Sequence, residues 1–81
     1  MARRTGVVSL ILYDREAAAP KVNEILYQNA DIIVGRMGVP HSEKGIFMIS
    51  VMVEGEEDRV EKMVEKLKEV NSVQVGKLFV K

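Results

Sequence analysis

The run EGEEDRVEKMVEKLKEV, Glu54 to Val70, does most to limit what this chain can become. Val60, Met63, Val64, Leu67 and Val70 recur in it at helical spacing, and the positions between them are mostly charged. Such a stripe makes a helix that has to lie on an apolar surface. Acids crowd its first turn and lysines its last, as the helix dipole favours, and Asn71 and Ser72 are expected to close it. The surface beneath is expected from four β-branched or aromatic-tipped runs: TGVVSLILY (Thr5–Tyr13), DIIVGRMGV (Asp31–Val39), GIFMISVMV (Gly45–Val53) and VQVGKLFV (Val73–Val80). PHSEK, between the second and third, fits a hairpin loop. A second helix is expected in AAPKVNEILYQN, where Ala18, Ala19, Val22, Ile25, Leu26 and Asn29 share one side. Pro20 lacks an amide hydrogen and suits a first turn, so this helix is expected to start near Ala17–Ala19.

The resulting order, βαββαβ, is the split βαβ or ferredoxin-like plan of an α+β fold. Right-handed crossovers and the hairpin then give a four-stranded antiparallel sheet with both helices on one face and the first and third strands central. The 81 residues form one domain, with residues 1–4 expected as a flexible arm bearing Arg3 and Arg4. A chain this small buries only roughly 60–65% of the surface it exposes when unfolded, so it gains from assembly.

A sheet covered on one face should be polar on the other. Neither central strand has a charged face. Val8, Leu10 and Leu12, with Phe47, Ile49, Val51 and Val53, are the bulkier sets and are assigned to the helices. Val7, Ile11, Tyr13, Ile46, Met48 and Met52 are left on the uncovered side. An apolar patch of that kind marks an interface, so a dimer or tetramer is expected.

Several function classes fall away. Twelve basic and twelve acidic residues balance, so no global field favours a membrane surface or nucleic acid, and the chain alone is not expected to bind DNA. KGIFMISV begins like the third-strand motif of RNA-recognition domains, but Ile46 and Met48 stand where stacking aromatics are needed. There is no cysteine. No apolar run nears the roughly 20 residues that span a bilayer, and no secretory h-region is seen, so a cytoplasmic location is expected. No G-x-S-x-G elbow surrounds Ser9, Ser42, Ser50 or Ser72, YDREAAAP lacks the glycine cradle of an acylphosphatase, and no acid–base pair stands out; no enzyme is expected. No cofactor is identified. His41 is the one imidazole; copies of it in a symmetric oligomer, with Glu43, offer an alternative reading as a shared metal site, against an ordinary loop histidine. Gly35 and Gly38 flank Arg36, either a bulge where the arginine meets a carboxylate or phosphate, or a bent edge strand with a snorkelling arginine.

KVNEIL, DIIVGRMGVP and KGIFMISVMVEG together resemble the small iron-only hydrogenase system regulators. These are ACT-like domains, similar also to the C-terminal sensor domain of the nickel-responsive repressor. The resemblance implies a non-catalytic regulatory module that oligomerises and senses a small ligand. In ACT domains effectors commonly bind where subunits meet, near the loop after the first strand. On this chain that implies Tyr13 to Glu16 opposite a neighbour's Gly35–Gly38, with Asp14, Gly35, Arg36 and Gly38 as ligand-binding residues. YDREAAAP lacks the glycine common in that loop, which argues against an amino-acid effector. The repressor's strand histidines and cysteine have no counterpart, so nickel sensing does not transfer.

Overall fold

The computed structural model describes residues 2–41 and 45–81, the side chain of His41 excepted. The elements are β1 (Arg3–Leu12), α1 (Arg15–Gln28), a 3-10 turn (Ala30–Ile32), β2 (Ile33–His41), β3 (Ile46–Glu56), α2 (Glu57–Lys68) and β4 (Val73–Phe79). The strands form one antiparallel sheet in the order β2-β3-β1-β4. This is the expected ferredoxin-like arrangement, with both helices packed on one face. Among the described residues no helix is long and apolar enough to cross a membrane.

The core lies between the sheet and the helices. Val8, Leu10 and Leu12 of β1 and Ile49, Val51 and Val53 of β3 meet Val60, Met63, Val64 and Leu67 of α2, and all are buried. α1 contributes Ala18, Val22 and Leu26, four residues apart on one helix face. Fully burying an aliphatic side chain of this kind contributes about 1.5–3 kcal/mol. The charged remainder of α2 stays in water, as its sequence pattern requires.

Several element boundaries depart from expectation. β3 runs on to Glu56, past the expected Val53, so α2 starts only at Glu57 and ends at Lys68. β1 starts at Arg3, so Arg3 and Arg4 belong to the sheet and not to an arm. The cause is the length of β3, which reaches Glu56 and pairs Arg3 with Glu56 and Arg4 with Gly55. α2 adds two contacts: Arg4 pairs with Glu57 Oε2 at 2.6 Å, and the Glu57 amide donates to the Ala2 carbonyl at 3.0 Å. α1 starts at Arg15, before the expected Ala17–Ala19, because Asp14 caps it; Asp14 Oδ1 accepts the Ala17 amide at 3.3 Å. Pro20 therefore sits in the second turn, where the Glu16 carbonyl has no amide to accept. β2 runs from Ile33 to His41, two residues later than expected, because Ala30–Ile32 form the 3-10 turn. Of the expected PHSEK loop, Pro40 and His41 are strand, and 42–44 lie outside the described residues. Gly45, at φ +67°, takes the left-handed conformation before β3.

One irregularity matters for everything on the outer edge. Ile33 pairs with Val53 and Gly35 with Met52, so Val34 is an extra residue that bulges from β2. Beyond it the alternation is reset. Arg36 and Gly38 face the helix layer, and Gly35, Met37 and Val39 face the open side.

The glycines of β2 then have unequal roles. A Cβ at Gly38 would come within 2.7 Å of the Phe47 ring, whereas one at Gly35 would meet nothing within 4 Å. Arg15 holds its guanidinium 4.6 Å from the Phe47 ring centroid, so the ring is confined from its other side. Gly38→Ala is expected to cost about 1 kcal/mol, near the low end for overpacking because Phe47 is only half-buried. Gly35→Ala is expected to leave the thermal midpoint unchanged or slightly raised, and thermal melts of the two variants check the contrast.

At the start of the 3-10 turn, Arg59 grips both carboxylate oxygens of Asp31 at 2.8 and 2.9 Å. The Arg59 hydrogen bonds hold the Asp31 carboxyl below its ordinary value of 3.8. A depressed carboxylate stabilises the fold above its unfolded pKa and loses that effect as pH falls through the folded one. Asp31→Asn is accordingly expected to flatten the acid limb of the melting temperature below about pH 4. An acid limb identical to the parent chain's would show the exposed pair contributes nothing.

Candidate functional site

Directly paired residues share a face, so the register writes the open side of the sheet as rows. Leu78, Val7, Met52 and Gly35 form one; Gly76, Ser9, Ser50 and Met37 the next; Gln74, Ile11, Met48 and Val39 the third. The middle row is small on three of its four strands, with bulky rows on both sides. The result is a shallow apolar hollow of about 350 Å³ over Ser9 and Ser50, walled by Ile11, Met37, Val39 and Met48.

The open face holds the six apolar residues assigned to it, with Met52 54% and Tyr13 51% exposed. The Tyr13 hydroxyl donates to Gln74 Oε1 at 2.6 Å, tying the end of β1 to β4 on this side. Three further members lie outside that assignment: Met37, Val39 and Leu78, all exposed. The signal for Leu78 was available in the alternation of VQVGKLFV. For Met37 and Val39 the phase depends on the bulge at Val34, which no spacing in the sequence announces.

Asp14, Gly35, Arg36 and Gly38 do not converge within one protomer. Asp14 follows Leu12 at the end of the sheet where Pro40 lies, while Gly35 sits level with Val7. Gly35 looks to the open side; Arg36 and Gly38 look to the helix layer. A pocket drawing on all four needs a second protomer. Arg36 itself lies on the outer edge and donates through Nη2 to Asn23 Oδ1 of α1 at 3.0 Å. His41 closes β2 opposite Ile46; its side chain and Glu43 lie outside the described residues.

A family model for the TM1266-like iron-only hydrogenase system regulators matches residues 4–77. No curated protein matches the chain in sequence. Among solved structures, the TM1266 protein from Thermotoga maritima is 26% identical with a TM-score of 0.93, over 99% of this chain and 100% of that one. The ACT domain of a GTP pyrophosphokinase from Chlorobium tepidum superposes with a TM-score of 0.74 at 16% identity, over 95% of this chain and 100% of that one. A nitrogen regulatory PII-like protein from Thiomonas intermedia, bound to ADP, AMP and bicarbonate, superposes with a TM-score of 0.53 at 14% identity, over 99% and 94%. The last two likenesses are of fold alone.

The cap at Asp14 separates its structural role from a ligand-binding one. Asp14→Ala is expected to cost about 1 kcal/mol, the ordinary loss for an N-cap. In a domain of this size that lowers the thermal midpoint by about 4–8 °C. An unshifted midpoint would mean that the cap contributes nothing and that the carboxylate is free for a ligand.

Proposed function

Because the chain belongs to the TM1266-like iron-only hydrogenase system regulator family, we propose that it is a non-catalytic regulatory module working as a symmetric oligomer. The open face of the sheet is the surface between copies. The observation that carries this reading is the cluster of exposed Met37, Met48, Met52 and Leu78 on a face that neither helix covers. The ACT and PII-like folds among its structural neighbours support a regulatory role.

Size and shape favour a second copy as the occupant. Four strands at about 4.8 Å spacing, over about ten residues each, present roughly 20 by 30 Å. That is comparable with the roughly 800 Å² per partner of a stable interface. A two-fold axis makes such a contact self-complementary, and here the bulky row of one copy has the small row of the other to enter. A small ligand or partner protein that binds one assembly or conformation more tightly then shifts the population toward it. No chemistry is required of the module itself.

Sedimentation velocity at micromolar concentration is expected to show a dimer or larger species. The double substitution Met48→Lys and Met52→Lys places two charges at the centre of the face. It is expected to weaken association at least about hundredfold while leaving the far-ultraviolet circular dichroism unchanged. A parent chain that stays monomeric at these concentrations would remove the proposal.

A further inference from the structure

On the opposite side of β2 from the open face, a groove of about 490 Å³ runs between α1 and the sheet edge. Its volume is in the range of small-molecule sites. Asn23, Leu26, Tyr27 and Ala30 line one side, spaced as one helix face and its continuation, and Ile33 and Arg36 line the other. Leu26 is buried and Ile33 half-buried, so the floor is apolar; the Tyr27 ring stands at the wall 82% exposed.

The polar groups here are mismatched in a telling way. Arg4 and Arg59 pair with Glu57 and Asp31. Among the described residues Arg36 has no carboxylate at ion-pair distance, and its partner is the neutral amide of Asn23. With Asn23 Oδ1 already accepting from Arg36, the rest of the amide can only donate, as can the remaining N–H groups of the guanidinium. Donors therefore gather above an apolar floor with no anion among the lining residues. The same lining offers no carboxylate to receive an ammonium.

We infer that this groove binds a small organic carboxylate with an uncharged, apolar or aromatic body. Arg36 and the Asn23 amide take the carboxylate, and the body lies on Leu26, Ala30 and Ile33 beside the Tyr27 ring. A guanidinium fork matches a carboxylate in two-point geometry, which a lone ammonium does not. Free amino acids are disfavoured because their ammonium would stand beside the Arg36 guanidinium with no carboxylate among the lining residues. The assignment names the ligand class of the regulatory module proposed above and rests on that reading only for the ligand's regulatory role.

The test is nuclear magnetic resonance titration of the isotope-labelled full chain with sodium benzoate, L-phenylalanine and inorganic phosphate, with sedimentation velocity on the same samples. Millimolar benzoate is expected to move the Asn23 side-chain amide, the Tyr27 ring and the Arg36 Nε–H signals. Arg36→Gln is expected to abolish these shifts, and Tyr27→Ala to weaken binding; both side chains are exposed, so both variants should fold. Phenylalanine is expected to bind at least about tenfold more weakly than benzoate. Groove signals unmoved by benzoate, or shifts that persist in Arg36→Gln, would overturn the site. Equal response to phosphate or to phenylalanine would overturn the ligand class. A silent groove in a chain that still oligomerises removes this inference alone. A monomer whose groove binds benzoate keeps the site and removes the assembly reading.

Discussion

The ten-pair antiparallel register between β1 and β3, from Arg3 opposite Glu56 to Leu12 opposite Phe47, is the constraint on which the rest of the fold depends. Side chains alternate with period two, so this pairing decides at once which residues meet the helices. It stacks Val8 on Val51 and Leu10 on Ile49 beneath α2. It also aligns Val7 with Met52 and Ile11 with Met48 on the other side. A slip of one residue would set an open-side residue of one strand against a core residue of the other. The open face of the central pair is apolar at Val7–Met52 and Ile11–Met48 and turns polar and charged at Thr5–Glu54 and Arg3–Glu56, and two short helices cover only the other face. The uncovered apolar patch follows from that shortage of cover, and it is the feature on which the proposed assembly rests.

Much of this was legible beforehand because the relevant signals are local and periodic. The stripe on α2 and the alternation in β1 and β3 fix element type, order and the inward-facing sets. What the sequence left open depends on single contacts and counts. Proline statistics pointed to a helix start near Ala17–Ala19, but the Asp14 carboxylate adds its cap one turn earlier and the helix accommodates Pro20 in its second turn. The two arginines at the start look like a solvated arm until the far end of β3 pairs with them and the packing of α2 brings Glu57 to Arg4. The glycines of β2 make a bulge one of two readings there, but not its place at Val34. A strand interrupted by two glycines gives no indication of which residue is extra, and so none of which face Arg36 and Met37 take.

The sheet's two edges are protected in different ways. On β4, Lys77 points to the helix side and reaches Glu61 at 3.5 Å, a charge turned inward on an edge strand that discourages a further strand from adding. On β2 the bulge and Pro40 stand at the two ends, and Arg36 is the single charged residue between them. This edge is therefore where the chain has kept polar capacity without an internal partner. The Arg36–Asn23 contact links strand to helix through a neutral amide, which a ligand carboxylate can join without first breaking an ion pair.

Placed together, these features give the proposed regulatory module a short physical path between ligand and assembly. Arg36 and Met37 are consecutive residues, one on the helix side beside the groove and the other on the open face beside the hollow. The strand between them lies at the sheet edge, paired on one side only, next to a bulge that already sets its phase. A ligand that fixes Arg36 against α1 restricts how far β2 can rotate, and with it the position of Met37 and Val39 in the opposite face. In the proposed module, binding energy on one side would be coupled to packing on the other through a single residue step. Reciprocity follows: an oligomer that seats Met37 well must also hold Arg36 better disposed toward its anion.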